Sequence, residues 1–226
     1  MVGYQTLYRT TPAQQHTLVQ RVCYLLATGL AVTAMGAWVF QAAYDLCLVF
    51  FIATFALIFV MRAVARKPGV NVLVFYLFSL AEGGMLGPYL GHFANHIPNG
   101  GNLIWEAFLL TSVTVAGVGG YAYMSGKDFG FLGRFLFWAL IGLIIVGFAS
   151  WFVLALDTSV MVLGYETIFV AVFVGFLLYD FSNIRLRYSP EDYTMAAVQV
   201  YLDFINLFLA ILRILSILQG GGVRRN

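Results

Sequence analysis

The sequence predicts an all-α integral membrane protein of seven transmembrane helices. Composition, length pattern and charge placement predict it together. Of the 226 residues, 10% are charged, 62% are hydrophobic and 17% are aromatic. A soluble domain carries roughly 25% charged residues and could not bury this much apolar surface. The apolar residues fall into seven runs, at 22–43, 46–61, 70–91, 103–124, 135–156, 160–179 and 196–218. A helix needs about 20 apolar residues to cross the hydrocarbon, and a membrane strand only about half that, so helices are favoured over a barrel. Soluble-enzyme and nucleic-acid-binding classes fall away on the same composition.

Each run has its own signals. The first follows a short polar segment, 1–20, in which Thr10-Thr11-Pro12 reads as a turn. That segment lacks the small-residue cleavage site of a signal peptide, so the first run is expected to stay as a span. The second run is short and must borrow from its flanks; Tyr44-Asp45 joins it to the first as a hairpin. The third carries Glu82 and glycines at 83, 87 and 91, a small-residue stripe that lets helices approach closely. Pro88 is expected to break its backbone ladder locally.

A loop at 92–102, marked by Gly91, Pro98 and Gly100-Gly101, leads to the fourth run, near whose start Glu106 lies. Asp157-Thr158-Ser159 joins the fifth run to the sixth, and Asp180 closes the sixth. Ser189-Pro190-Glu191-Asp192 then reads as an N-cap, a first-turn proline and two first-turn acids ahead of the seventh. The chain divides into a tail, 1–20, a membrane domain, 21–219, and a second tail, 220–226.

Basic residues set the orientation. Arg9 and Arg21 precede the first run, Arg62, Arg66 and Lys67 follow the second, Lys127 and Arg134 the fourth, Arg185 and Arg187 the sixth. Nine of the twelve therefore share one face, which the positive-inside rule assigns to the cytoplasm together with the amino terminus. A fully crossing last run puts Arg224 and Arg225 on the opposite face; a re-entrant one keeps them inside. Cys23 and Cys47 fall near opposite faces, too far apart to bridge, and read as packing residues.

An ionisable side chain inside hydrocarbon is expensive and is read as a functional candidate. Asp203 stands about two turns into the seventh run, with Asn206 at i+3 on much the same face. Arg213 is a further supporting polar residue, about 15 Å along the axis and no obvious direct partner. Asp180 and Arg62 fall at comparable depth, so two acids and one arginine on three helices could meet; both also suit ordinary helix-end charges. Glu82, beside the glycine stripe, reads either as part of a polar cavity or as a packed, satisfied acid. Glu166 and Glu106 read as near-surface acids. His92 and His96 have a zinc-like i, i+4 spacing, but they fall in the loop and no Cys or acid completes a set. No catalytic constellation and no cofactor motif is present, so no enzyme is expected.

The run Tyr201-Leu202-Asp203-Phe204-Ile205-Asn206-Leu207-Phe208, with Tyr179-Asp180 some twenty residues earlier, resembles the signature of the transmembrane Bax inhibitor motif family. Glu82-Gly83 before Gly87-Pro88, and Arg62 after an apolar second span, also fit it. The short amino-terminal segment is similar to bacterial members, which implies a bacterial cytoplasmic (inner) membrane.

The resemblance implies six helices surrounding a central C-terminal seventh. It also implies a pH-sensitive cation leak, principally for calcium, with Asp180 and Asp203 as the sensor and Arg62 as a salt-bridging latch. Ala63-Val64-Ala65 depart from the denser basic cluster of some members, which leaves the register of Arg62 the least secure of the three. Two neighbouring carboxylates resist double ionisation, and an arginine would favour the ionised form. Calcium takes six to eight oxygens, so Asp180 and Asp203 with Asn206, backbone and water would make a weak or transit site rather than a cage. The expected partners are membrane lipid and calcium ion. The competing reading is a regulatory interaction protein that modulates a membrane quality-control protease or stress response. An intramembrane aspartyl hydrolase is the poorest fit, because the context of Asp180 and Asp203 lacks glycine.

Overall fold

The computed structural model describes residues 12–150 and 159–220. Among them are seven long α-helices and no strand: α1 Pro12–Val39, α2 Cys47–Val64, α3 Val70–His96, α4 Gly100–Ser125, α5 Leu132–Ala149, α6 Ser159–Leu186 and α7 Tyr193–Leu218. All seven are long and apolar enough to cross a membrane. Arg9, Thr10-Thr11, the 157–158 part of the expected link, the end of the fifth run and Arg224-Arg225 lie outside the described residues.

The helices exceed the apolar runs mainly at their ends. α1 starts at Pro12, with proline in the first turn where its missing N–H has no helical acceptor. The loop expected at 92–102 shrinks to 97–99, because α3 runs to His96 and α4 begins at Gly100 after Asn99 takes a left-handed φ of 56°. Pro88 lies within α3, whose helix continues on both sides of it. The proline removes one backbone donor without ending the helix, as membrane helices tolerate. Ser189 and Asp192 form a capping box ahead of α7: Asp192 Oδ2 accepts from the Ser189 hydroxyl at 2.7 Å and from its N–H at 3.4 Å, and Pro190–Asp192 make a 3-10 turn leading into the helix.

The chain forms two compact units, residues 1–92 with 183–201, and residues 93–182 with 202–226. In the first unit, α1 and α3 run parallel along a glycine seam. A Cβ on Gly83 would strike the backbone of Thr33, one on Gly87 would meet the Ala37 carbonyl at 2.8 Å, and one on Gly91 the Gln41 carbonyl at 2.9 Å. The stripe expected at 83, 87 and 91 is therefore the α1 contact, advancing four residues on each helix at every step. Gly29 and Gly36 on α1 receive Phe75 and Leu80 of α3 in return.

At one end of this unit the links 65–71 and 185–193 meet the start of α1. Gln15 donates to the Arg185 carbonyl at 3.1 Å, Arg21 lies 5.4 Å from the centre of the Tyr193 ring, and Arg66 pairs with Asp192 at 3.7 Å. Three segments assigned to the same face by their basic residues thus gather at one end.

In the second unit, Leu136 and Leu143 of α5 pack on Val172, Phe169, Phe176 and Tyr179 of α6. Gly133 receives Tyr179, Gly175 receives Leu136, and Gly119 of α4 receives Phe181. Burial differs sharply between helices. About half or more of the most apolar stretch is buried in α3 (61%) and α7 (56%), against 11% in α2 and α5. The outward faces of α2 and α5 carry Phe51, Phe55, Phe59, Phe135 and Trp138, residues that suit lipid and would be a liability in water. An enclosed α7 was expected; an equally enclosed α3 was not, and its glycines account for it by admitting α1 so closely.

Candidate functional site

Asp180 does not close its helix. α6 continues through Phe181, Ser182, Asn183 and Ile184, all buried, and ends at Leu186. Asp180 is 5% exposed, so the helix-end reading of this acid is overturned by the packing that surrounds the last turns of α6. Asp203 on α7 is likewise 5% exposed, and the two carboxyl groups hydrogen-bond to each other. A hydrogen bond between two carboxyl groups requires one of them to carry a proton. Asp203 Oδ2 is buried and has no hydrogen-bond partner. The pair is thus a buried two-carboxyl centre with one proton to share, and no N–H or hydroxyl from elsewhere reaches Asp203 Oδ2.

The helices hold this centre from both sides. Next to Asp180, the Phe181 ring fills the notch at Gly119, and the Ser182 hydroxyl accepts the Phe129 N–H at 3.0 Å. Next to Asp203, Phe204 packs against Phe108 of α4 at 5.7 Å between ring centres. Asn206, expected to supplement the pair, donates its amide N–H to the Leu202 carbonyl of its own helix at 2.8 Å. Arg62 belongs to the first unit and is exposed at the last turn of α2.

Arg213 does have a partner, and it is Glu166. Its Nη1 lies 2.6 Å from Glu166 Oε1, and the Glu166 side chain is only 4% exposed. The near-surface reading of Glu166 is therefore corrected: an arginine ten residues beyond Asp203 compensates the charge and lets the packing close over it. Glu166 stood in an apolar run and Arg213 in another, each an unmatched charge in the sequence with nothing local to name its partner. Glu106 is exposed.

Glu82 is 5% exposed in the first unit, beside the hydroxyl of Thr54, although no hydrogen bond of good geometry reaches Thr54 Oγ1. Near it, Tyr201 is fully buried with its ring edge-on to Phe75 and Phe78. The Tyr201 and Thr33 hydroxyls hydrogen-bond at 2.5 Å, and Thr33 Oγ1 is also 3.0 Å from the Ser79 and Gly29 carbonyls. Both carbonyls need the single Thr33 proton, so Tyr201 is the donor to Thr33. Sequence reasoning missed Thr33 and Thr54. Thr54 had a visible signal, as the only hydroxyl in the apolar stretch of α2. His92 and His96 lie on α3 rather than in a loop, and no group of three or more His, Cys, Asp or Glu gathers among the described residues.

Comparison with known proteins agrees with this architecture. The family profile described as "Inhibitor of apoptosis-promoting Bax1" matches residues 15–220. A Schizosaccharomyces pombe protein named "Bax inhibitor 1" is 34% identical over 186 residues, 82% of this chain and 66% of its own length. An Arabidopsis thaliana "BI1-like protein" is 35% identical over 73% of this chain and 62% of its own length. The chain thus spans just under two thirds of these two relatives. An uncharacterised membrane protein of Vibrio cholerae is 31% identical over 91% of this chain and 92% of its own. With seven membrane-length helices and a match from residue 15 to residue 220, the chain belongs to the Bax inhibitor family of multi-pass membrane proteins.

Proposed function

We propose that this protein is a non-enzymatic, pH-sensitive cation leak channel, principally for calcium, in a bacterial cytoplasmic membrane, with its amino terminus in the cytoplasm. One observation carries the reading: Asp180 and Asp203 meet as a buried pair of carboxyls. In a low-dielectric site the two cannot both ionise cheaply, so they bind one proton between them. Losing that proton sets two negative charges against each other on α6 and α7. The repulsion is relieved by separating the helices, by admitting water or a cation, or by recruiting Arg62 as a latch. Each of these biases an open–closed equilibrium. Calcium would meet only a few protein oxygens here, which suits passage better than storage.

Calcium flux into proteoliposomes, measured against pH, tests the proposal. A gate controlled by one proton changes population by up to about tenfold per pH unit. Asp180→Asn and Asp203→Asn should each flatten that response. Flux and pH response unaltered in both variants would overturn the reading.

A second reading has its own support in the names of the relatives, which describe inhibition of another protein. Here the chain would modulate a membrane-bound protease or a stress response. Under that reading, deleting residues 1–11, ahead of α1, abolishes regulation while flux is spared.

A further inference from the structure

Glu82 is a buried acid that the leak mechanism does not use. Two hydroxyl oxygens of the first unit lie close to it. On α2, the Thr54 hydroxyl lies beside its carboxyl; Thr54 is 6% exposed and its Oγ1 has no hydrogen-bond partner. On α7, the Tyr201 hydroxyl is near enough to feel the carboxylate, and it is committed to Thr33 of α1.

Basic groups on these helices are remote along their axes. At 1.5 Å per residue, Arg21 lies about 18 Å before Thr33, Arg62 about 12 Å beyond Thr54, His92 about 15 Å beyond Glu82, and Arg213 about 18 Å beyond Tyr201.

A carboxylate in hydrocarbon without a counter-charge is expensive, and an open acceptor oxygen beside it adds a second unmet demand. One cation between Glu82 and Thr54 Oγ1 meets both. A proton does so by turning Glu82 into a donor toward Thr54; a desolvated sodium ion does so by taking lone pairs from both oxygens. Calcium wants six to eight oxygens, several of them charged, and no group of three or more His, Cys, Asp or Glu gathers among the described residues. The single carboxylate balances one positive charge, so a monovalent ion fits, with backbone carbonyls or water completing the shell of a sodium ion.

We propose that Glu82 and Thr54 form an intramembrane site for one small monovalent cation, for which a proton and a sodium ion compete. The site uses neither aspartate of the other unit, so it stands or falls separately from the calcium leak.

Infrared difference spectroscopy on the purified full chain in detergent tests it, because a protonated carboxyl has its own carbonyl stretch. Work in an Asp180→Asn/Asp203→Asn background removes the signal of that pair. The expected result is a protonated-carboxyl band that Glu82→Gln loses and that sodium chloride, but not potassium chloride, diminishes in a saturable way. Thr54→Val should keep the band and lose its response to sodium, and Thr54→Ser should restore that response. Absence of the band, indifference to sodium, or a sodium response undiminished in Thr54→Val would each overturn the site. If Glu82→Gln does not fold, the sodium titrations of the Thr54 variants decide alone.

Discussion

Two of the polar contacts between helices α6 and α7 are of opposite character. Arg213 and Glu166 are a matched pair of opposite formal charge at 2.6 Å. Asp180 and Asp203 are a like pair that holds together only through a proton. The first contact holds the two helices through opposite charges; the second holds them on condition of protonation. A stability difference between breaking one and breaking the other is therefore the sharpest measure of what each does.

The largest effect should come from Arg213→Leu. It strands a buried Glu166 carboxylate and should cost about 3 kcal/mol in denaturant unfolding in detergent. Glu166→Leu leaves an arginine whose side chain is half exposed and stands near the end of α7, where it can snorkel, so about 1 kcal/mol is expected. Equal losses in the two variants would mean that burial of Glu166 is not what makes the pair matter.

Gly83→Ala drives a methyl into the Thr33 backbone of α1 and should cost about 2 kcal/mol. Gly117→Ala on α4 meets nothing within 4 Å and should stabilise by about 0.5–1 kcal/mol through helix propensity. Asp203→Asn should stay within about 1 kcal/mol of wild type, because an amide can donate to Asp180 as the protonated acid does. A loss comparable to that of Arg213→Leu would erase the contrast between the two contacts. Arg66→Ala, which removes a pair whose arginine side chain is 75% exposed, should change stability by about 0.5 kcal/mol or less.

Much of this was legible in the sequence, and the rest was hidden for physical reasons. Seven helices follow from run length and composition, since a bilayer leaves the backbone few choices. The glycine stripe at 83, 87 and 91 announced a close helix contact, but stripes do not name their partner, and only the fold identifies α1. Helix ends were misread at His92–His96 and at Asp180, because polar residues near the end of an apolar run look alike whether they face solvent or a neighbouring helix. The Asp180–Asp203 meeting was anticipated from resemblance and depth, whereas Glu166–Arg213 was not, as pairing across 47 residues leaves no local signature. Thr33 and Thr54 escaped notice because a hydroxyl is inexpensive enough in a membrane helix to pass as filler.

The α1–α3 seam repeats every four residues, about 6 Å of axis. A repeating contact resembles a toothed rack: moved by one tooth it meshes almost as well, so the glycines alone do not choose among positions. The choice falls to contacts that occur once along the seam: Thr28 with the Tyr76 hydroxyl, and Thr33 with the Ser79 carbonyl and the Tyr201 hydroxyl. These hydroxyls act as the pawl of the rack, and a helix held in this way can be advanced only by releasing these few hydrogen-bonded catches together.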